Sequence, residues 1–366
     1  MRRDVAVVGG GLAGAAAAVG LARAGRDVLL LERERGPHDK VCGEFLSYEA
    51  QEDLARLGLD LPALGAAPIH RVAVCHGARR REAALGFRAL GLSRRVLDEA
   101  LLARAAAAGA EVRRGARVTG LARDGEGWAL EADGMGAPRA REVLLATGKH
   151  DLRGWRRPPG PQGDLVGFKA YWRLADARAL DGLVELHLFP DGYAGLQMVE
   201  GGRANLCLVA RRARLAAGGG RWDALLAHVM AASPALAARL DGAEPCQAKP
   251  LAIAAIPYGL VAERAAGPWR LGDQAAVIPS FTGEGMSLAL HGARLAVAGL
   301  LAGDGADAFQ RRLAGDLGAQ VRRSTLLSRA LVAPVAQALA GRILLPPLLR
   351  GLLRGTRIPP AARAAA

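Results

Sequence analysis

The stretch Asp4–Glu32, DVAVVGGGLAGAAAAVGLARAGRDVLLLE, decides the fold. Val5 to Val8 form a short apolar run that reads as a buried strand. Gly9, Gly11 and Gly14 follow in G-x-G-x-x-G spacing at the head of an alanine-rich helical stretch. The three glycines serve different ends. Gly9 turns the chain out of the strand, Gly11 lets backbone approach a pyrophosphate, and Gly14 lets the helix pack closely on the strand. A pyrophosphate then rests on the helix N-terminus, where unpaired N–H groups and the helix dipole favour an anion. The second apolar run, Val28 to Leu31, ends in Glu32, which is spaced to accept from a ribose hydroxyl. Strand, glycines, helix, strand and acid in one unit predict a dinucleotide site.

Working outward, 366 residues at 51% hydrophobic and 23% charged predict a folded chain with one large domain or two intimately packed ones. The net charge of +14 is carried by arginine, since only Lys40, Lys149, Lys169 and Lys249 are lysines. The arginines are scattered, with no aromatics interleaved in a basic stripe, which argues against nucleic acid and leaves anionic cofactors or a membrane surface as the partner of that charge. Cys42, Cys75, Cys207 and Cys246 lie far apart with no C-x-x-C, so neither a disulfide framework nor a zinc site is expected, and a reduced, cytoplasmic setting fits. The first strand begins at the fifth residue, leaving no room for a signal peptide, and no run of about eighteen apolar residues is evident. A soluble protein without a metal is expected.

Beyond Glu32 a helix is expected from about Tyr48, with Ser47 as a side-chain N-cap. Short alternating runs in 69–87 read as strands. A helix carrying Leu97, Leu101 and Leu102 should end near Gly109, and a meander then leads to a buried strand at Val143 to Ala146. The segment RGWRRPPGP, Arg153 to Pro161, marks a crossover. After it, GFKAYWRL, LVELHLF, YAGLQMVE and RANLCLVA read as strands of an antiparallel sheet, followed by one helix over about Trp222 to Leu240 and a strand in QAKPLAIAAIPYG. The α/β pattern returns at Pro268 to Gly272, so the second domain is inserted in the first. The last long helix opens near Gly285. The tail RILLPPLLRGLLRGTRIPP is apolar and basic but broken by prolines; it reads as helical packing over the domain interface, with at most peripheral membrane contact.

Four stretches together resemble the FAD-dependent aromatic hydroxylases (group A flavoprotein monooxygenases) and the related geranylgeranyl reductases. They are the glycine motif with Glu32; Ser93-Arg94-Arg95-Val96-Leu97-Asp98, similar to R-x-x-L-D; Arg270 to Met286, similar to the second FAD fingerprint; and Lys40-Val-Cys42-Gly43-Glu44-Phe-Leu46-Ser47, similar to the C-G-x-x-L-S segment beside the flavin. The resemblance implies an α/β fold: a Rossmann-like FAD-binding domain (residues 1–68, 91–155 and 268–315) with an inserted antiparallel β-sheet substrate domain (69–90 and 156–267) and a C-terminal helical segment (316–366). It implies FAD contacts at Gly9, Gly11, Leu12, Ala13, Gly14, Glu32, Arg33, Cys42, Gly43, Arg94, Val118, Gly272, Asp273, Pro279, Gly283, Gly285 and Met286, with Asp273 on the ribityl chain. Read from the residues themselves, Asp273 lies beside a tight turn and can accept from sugar-like hydroxyls. Gly283 and Gly285 open a helix whose free N–H groups suit the negative charge of a reduced flavin.

Departures qualify the activity. Ala146-Thr147-Gly148-Lys149 has threonine where the hydroxylases carry the aspartate of an Asp-Gly pair, so NAD(P)H as a transient reductant has a separate flavin reductase as its alternative. The prenyl reductases' Y-x-W-x-F-P keeps Phe189-Pro190 but has Glu185 and His187 at its aromatic positions, and the halogenases' W-x-W-x-I-P is missing. The resemblance therefore implies an FAD-dependent oxidoreductase, read first as a monooxygenase acting on an aromatic or polyketide-like molecule through a flavin C4a-hydroperoxide. A reductase of isoprenoid double bonds is its alternative, and a non-catalytic dinucleotide-binding redox sensor is a third reading. Cys42, His187 and Tyr193 are the candidate catalytic residues. Phe189, Gln197 and Met198 are expected beside Tyr193 in a wall over the flavin, with Pro279 at the ring face and a hydrophobic or aromatic small molecule as substrate.

Overall fold

The computed structural model describes residues 2–265, 267–337, 355 and 357–364. The chain runs β1 (Arg2–Val8), α1 (Leu12–Arg23), β2 (Val28–Glu32), β3 (Phe45–Leu46), α2 (Tyr48–Arg56), β4 (Ala67–His76), β5 (Arg79–Gly91), α3 (Arg94–Ala107), β6 (Glu111–Arg114), β7 (Val118–Asp124), β8 (Gly127–Ala132) and β9 (Arg139–Leu145). It continues through β10 (Leu165–Arg173), β11 (Gly182–Phe189), β12 (Gly192–Val199), β13 (Arg203–Arg211), α4 (Arg212–Ala217), α5 (Trp222–Ala232), α6 (Pro234–Leu240), β14 (Glu244–Pro245), β15 (Leu251–Ala254), β16 (Trp269–Arg270), α7 (Gly285–Ala302) and α8 (Ala306–Leu331).

Two sheets result. The first has the order β6-β2-β1-β9-β8-β7 with β16 beside β9. It is parallel from β6 to β9 and at β16, and the β7–β8 meander closes it antiparallel to β9. Strands buried on both faces explain the unbroken apolar runs of β1 and β2. α1 packs under them on α3 and α7, its alanines at nearly zero exposure. Gly14 makes that contact possible: a Cβ there would stand 2.0 Å from the Gly9 carbonyl oxygen.

The second sheet runs β14-β10-β13-β12-β11-β4-β5-β3, with β15 on β10. It is the inserted substrate sheet expected from the sequence, with one difference: β4 and β11 pair in parallel, Val72 opposite Val184 and Val74 opposite Leu186, inside an otherwise antiparallel array. One face packs on α5 and α6 through Phe168, Leu206, Leu208, Leu225, Val229 and Leu236. The other faces the first sheet.

Several local expectations are corrected. The helix expected over Trp222 to Leu240 is two helices, broken at Ser233-Pro234 because proline cannot continue the ladder; Ser233 caps the second through its hydroxyl to Leu236 N. Ser47 stands at the N-cap of α2 without a capping bond, its hydroxyl going to Ser287 and Glu284 instead. α7 is not the last long helix, since α8 is longer and crosses the expected boundary at residue 315. α7 is long and apolar enough to span a membrane, a run masked in the sequence by Ser287, His291 and Arg294, yet most of it is buried in the core. The proline-broken tail expected as helical packing falls largely outside the described residues; Arg357 within it and Arg363 just after it pair with Glu49 and Glu52 of α2.

Candidate functional site

A cavity of about 910 Å³ lies between the sheets, and its lining draws on all four motif stretches. At one end is the glycine loop. Gly9 has φ +106°, and a Cβ there would stand 2.4 Å from the Ala146 carbonyl, so β1 must end in glycine. A Cβ on Gly11 would lie 3.4 Å from both Arg94 Nη2 and Lys40 Nζ, so two cations overhang the loop at the edge where a pyrophosphate would sit. Both are held by Asp98: Arg94 donates from Nε at 2.8 Å and from Nη2 at 2.9 Å, and Lys40 at 2.7 Å. Burial pushes the Asp98 carboxyl up, and the two cations outweigh it and hold it below its ordinary value. Ser93 caps α3 through Val96 N and so fixes where Arg94 enters the site.

Glu32 is buried and accepts from Gly10 N at 2.7 Å and Glu34 N at 2.9 Å, which anchors the acid beside the loop. Arg33, Leu12, Ala13 and Val118 line the same end. Farther along, Asp273 sits in the turn after β16. Lys149 approaches its carboxylate at 3.1 Å and outweighs burial, keeping it below the usual range. Lys149 is the residue that follows the unusual Thr147-Gly148 pair, so the missing aspartate is accompanied by a cation. Gly272, Gly283, Gly285 and Met286 line the adjoining wall, where α7 begins. Pro279 is buried and outside the lining, which its neighbours Ile278 and Ser280 supply. Gly14 serves packing, as above.

Cys42, Gly43 and Glu44 form the opposite wall. Asn205 donates Nδ2 to the carbonyls of Cys42 (3.1 Å) and Gly43 (3.0 Å), and Gln197 Nε2 donates to that of Glu44 at 2.9 Å. Glu44 has φ +59°, an uncommon conformation for a residue with a Cβ. Its fully buried carboxylate pairs with Lys169, accepts from Tyr171 Oη at 2.8 Å and takes Arg94 N at 2.7 Å. Burial raises the Glu44 carboxyl despite these partners. This cluster escapes sequence reasoning, because Lys169 and Tyr171 are 125 and 127 residues from Glu44 and nothing local marks them.

The sheet register sorts the remaining candidates. Tyr171, Asn205 and Gln197 share one row on the cavity face, Lys169, Cys207, Gly195 and Leu186 the next, and Gly167, Val209, Tyr193 and Leu188 a third. The face thus grades from polar, under the Cys42 loop, to apolar. Tyr193 is on it, its Oη 3.0 Å from Ser280 Oγ and its hydroxyl pushed to a high pKa by burial. His187 is not. One residue off the cavity parity, it is buried against Ser233 (Nδ1 to Oγ 2.9 Å), with Glu185 beside it on Arg239. The same parity turns Phe189 and Met198 toward the helices, so both leave the expected wall while Gln197 and Tyr193 stay in it. Among the described residues no group of three or more His, Cys, Asp and Glu side chains could hold a metal.

These features fit a long anionic dinucleotide: a glycine cradle that a Cβ would fill, two cations above it, an acid for one sugar, an acid for a polyol and a helix N-terminus at the far end. Comparisons agree. Residues 2–136 match the FAD binding domain family. The menaquinone reductase of Mycolicibacterium smegmatis is 29% identical over 330 residues, 81% of this chain and 75% of that protein. The digeranylgeranylglycerophospholipid reductase 2 of Methanopyrus kandleri is 32% identical over 234 residues, 58% of this chain and 55% of that one. In fold, the flavin-dependent brominase Bmp2 superposes with a TM-score of 0.80 at 19% identity, covering 100% of this chain and 98% of the brominase. These findings support an FAD-dependent oxidoreductase, with an FAD binding domain over residues 2–136 and similarity to the menaquinone and digeranylgeranylglycerophospholipid reductases in sequence and to flavin-dependent enzymes in fold.

Proposed function

We propose that the protein reduces a carbon–carbon double bond in a long apolar, isoprenoid-type chain, using electrons that reach its FAD from NAD(P)H or a separate reductase. The observation that carries this reading is the grading of the cavity. Beyond the Cys42 loop its walls are mostly apolar, built from Val72, Val74, Leu85, Phe87, Val184, Leu186, Val209, Ile253 and Ile256, and the one carboxylate among them, Glu185, is already paired with Arg239. Two sequence relatives, at 29% and 32% identity, are named as reductases, one of a geranylgeranyl lipid, which supports the same direction.

FAD, when bound, supplies the hydride. The chain's own residues do the rest. Arg94, Lys40 and Glu32 would hold the dinucleotide half and Asp273 the polyol, and the free N–H groups at the start of α7 would supply donors for negative charge on the reduced cofactor. The apolar walls exclude water from the alkene. A reduced alkene carbon also needs a proton, and Cys42, partly exposed where the polar and apolar halves meet, is placed to deliver it.

The monooxygenase is the second reading. Tyr193, Tyr258 and Ser280 put hydroxyls in the wall that could anchor a phenolic ring. An oxygen electrode separates the two. The reductase converts a prenyl substrate in anaerobic buffer with one reductant consumed per double bond lost; substrate-dependent oxygen uptake with an oxygenated product would overturn it in favour of the hydroxylase.

A further inference from the structure

α8 borders the apolar end of the cavity, and what it carries on its outer face is unusual. Leu327 and Leu331 of α8 line the cavity. Their neighbours Leu326 and Val335 are 65% and 85% exposed, far more than the other large apolar side chains on the described surface. One turn before Leu326, on its side of the helix, stand the exposed Arg322 and Arg323, and exposed Arg329 follows three residues after it. The opposite face of α8, with Ser324, Thr325 and Ser328, is buried. The charge is one-sided in the sequence as well: the last fifty residues, 317–366, contain eight arginines and no aspartate, glutamate or lysine.

We infer that this face docks the protein on an anionic lipid surface, so that an apolar chain passes from the bilayer between Leu327 and Leu331 into the cavity without crossing water. Exposed leucine and valine flanked by arginine are the composition that binds at the headgroup boundary, where apolar burial and attraction to anionic lipid act together. A substrate too apolar to exist free in solution needs such an entrance, and in this respect the inference rests on the reductase reading. Protein partners fit less well: the apolar part of the patch is small, Leu326 and Val335, and among the described residues no aromatic side chain stands in it to anchor a protein interface.

The test is co-sedimentation of the FAD-loaded protein with vesicles of phosphatidylcholine alone and of three parts phosphatidylcholine to one part phosphatidylglycerol. Binding to the anionic vesicles is expected, with release as salt is raised from 0.1 to 0.5 M. Arg322→Gln with Arg323→Gln should weaken it about 30-fold, roughly fivefold for each arginine near the surface. Leu326→Asp should weaken it further while flavin content and far-ultraviolet circular dichroism stay unchanged, since all three side chains are exposed. Absence of binding to anionic vesicles overturns the inference, as does binding that survives these substitutions. The readout contains no substrate, so it fails separately from the reaction. Anaerobic reduction of a short, soluble prenyl substrate without vesicle binding removes the docking face alone, and vesicle binding through this face with oxygen-dependent turnover removes the reductase alone.

Discussion

Replacing Lys169 by methionine tests the least expected part of the site. Lys169 and Glu44 are both at 0% exposure, so the substitution leaves a carboxylate in the interior with hydrogen bonds from Tyr171 and Arg94 N but no cation. Removing one partner of a buried pair costs about 3–5 kcal/mol. At roughly 2.1 cal/mol/K per residue, a chain of this length has an unfolding entropy near 0.8 kcal/mol/K, so Tm should fall by about 4–6 °C. The loss should also depend on pH. Burial already raises the Glu44 carboxyl, and without Lys169 it rises further. A group whose folded pKa lies above its unfolded one stabilises at low pH and loses that contribution as pH rises through the folded value. The variant's loss should therefore be smaller at pH 5 than at pH 8, growing as pH rises through the raised Glu44 value. Glu44→Gln in the same chain should restore most of the loss, because the unpaired charge is gone. Differential scanning fluorimetry of the four proteins of this cycle at both pH values is sufficient. A Tm drop equal at pH 5 and 8, or a double variant no better than K169M, would refute the reasoning.

Asp273→Ala should yield protein largely free of flavin, because the carboxylate that would take the ribityl hydroxyls is lost and Lys149 is left without its partner; an absorption spectrum of the freshly purified variant with full FAD would remove that role. Glu284, buried at the head of α7, has its carboxyl pushed from an ordinary 4.5 to about 7 by burial first and by Glu49 second, with Ser47 and Ser287 as its hydrogen-bond donors. That displacement corresponds to roughly 3 kcal/mol. The sign follows from a raised folded pKa: relative to Glu284→Gln, the wild type should lose this stability progressively between pH 4.5 and 7 and stay level above, and parallel denaturation midpoints across that range would contradict it.

The FAD half of the site was legible because its determinants are local or covalent. A positive φ at Gly9, the close approach at Gly14 and an acid at the end of β2 leave marks in residue type and spacing within thirty residues. Arg94 and Asp273 came from the resemblance, and the turn around Asp273 could be read besides. The substrate half was not legible, since what a strand residue touches depends on register. Val184, Leu186 and Tyr193 reach the cavity while His187, one step out of phase, reaches Ser233, and no feature of LVELHLF distinguishes the two outcomes. The Glu44–Lys169–Tyr171 cluster lay hidden for the same reason. It exists only once β10 is laid against the Cys42 loop, and an isolated lysine in an apolar strand looks like an edge residue.

The parallel contact of β4 with β11 bears on how the chain comes off the ribosome. The β4–β5 hairpin is complete by Gly91, yet the strand that covers its inner edge begins at Gly182, and β12 and β13 arrive only by Arg211. At translation speeds of about 5–20 residues per second, that edge waits for several seconds with its N–H and C=O groups unpaired. The hairpin carries Arg79, Arg80 and Arg81 at its turn and Arg71 and Arg88 along its strands, charges that discourage another nascent hairpin from adding to it during the interval. Neutralising Arg79 and Arg81 at the hairpin's turn should therefore lower soluble yield before it touches the folded protein's stability, whereas Arg71 and Arg80 also pair with Glu82 in the finished sheet.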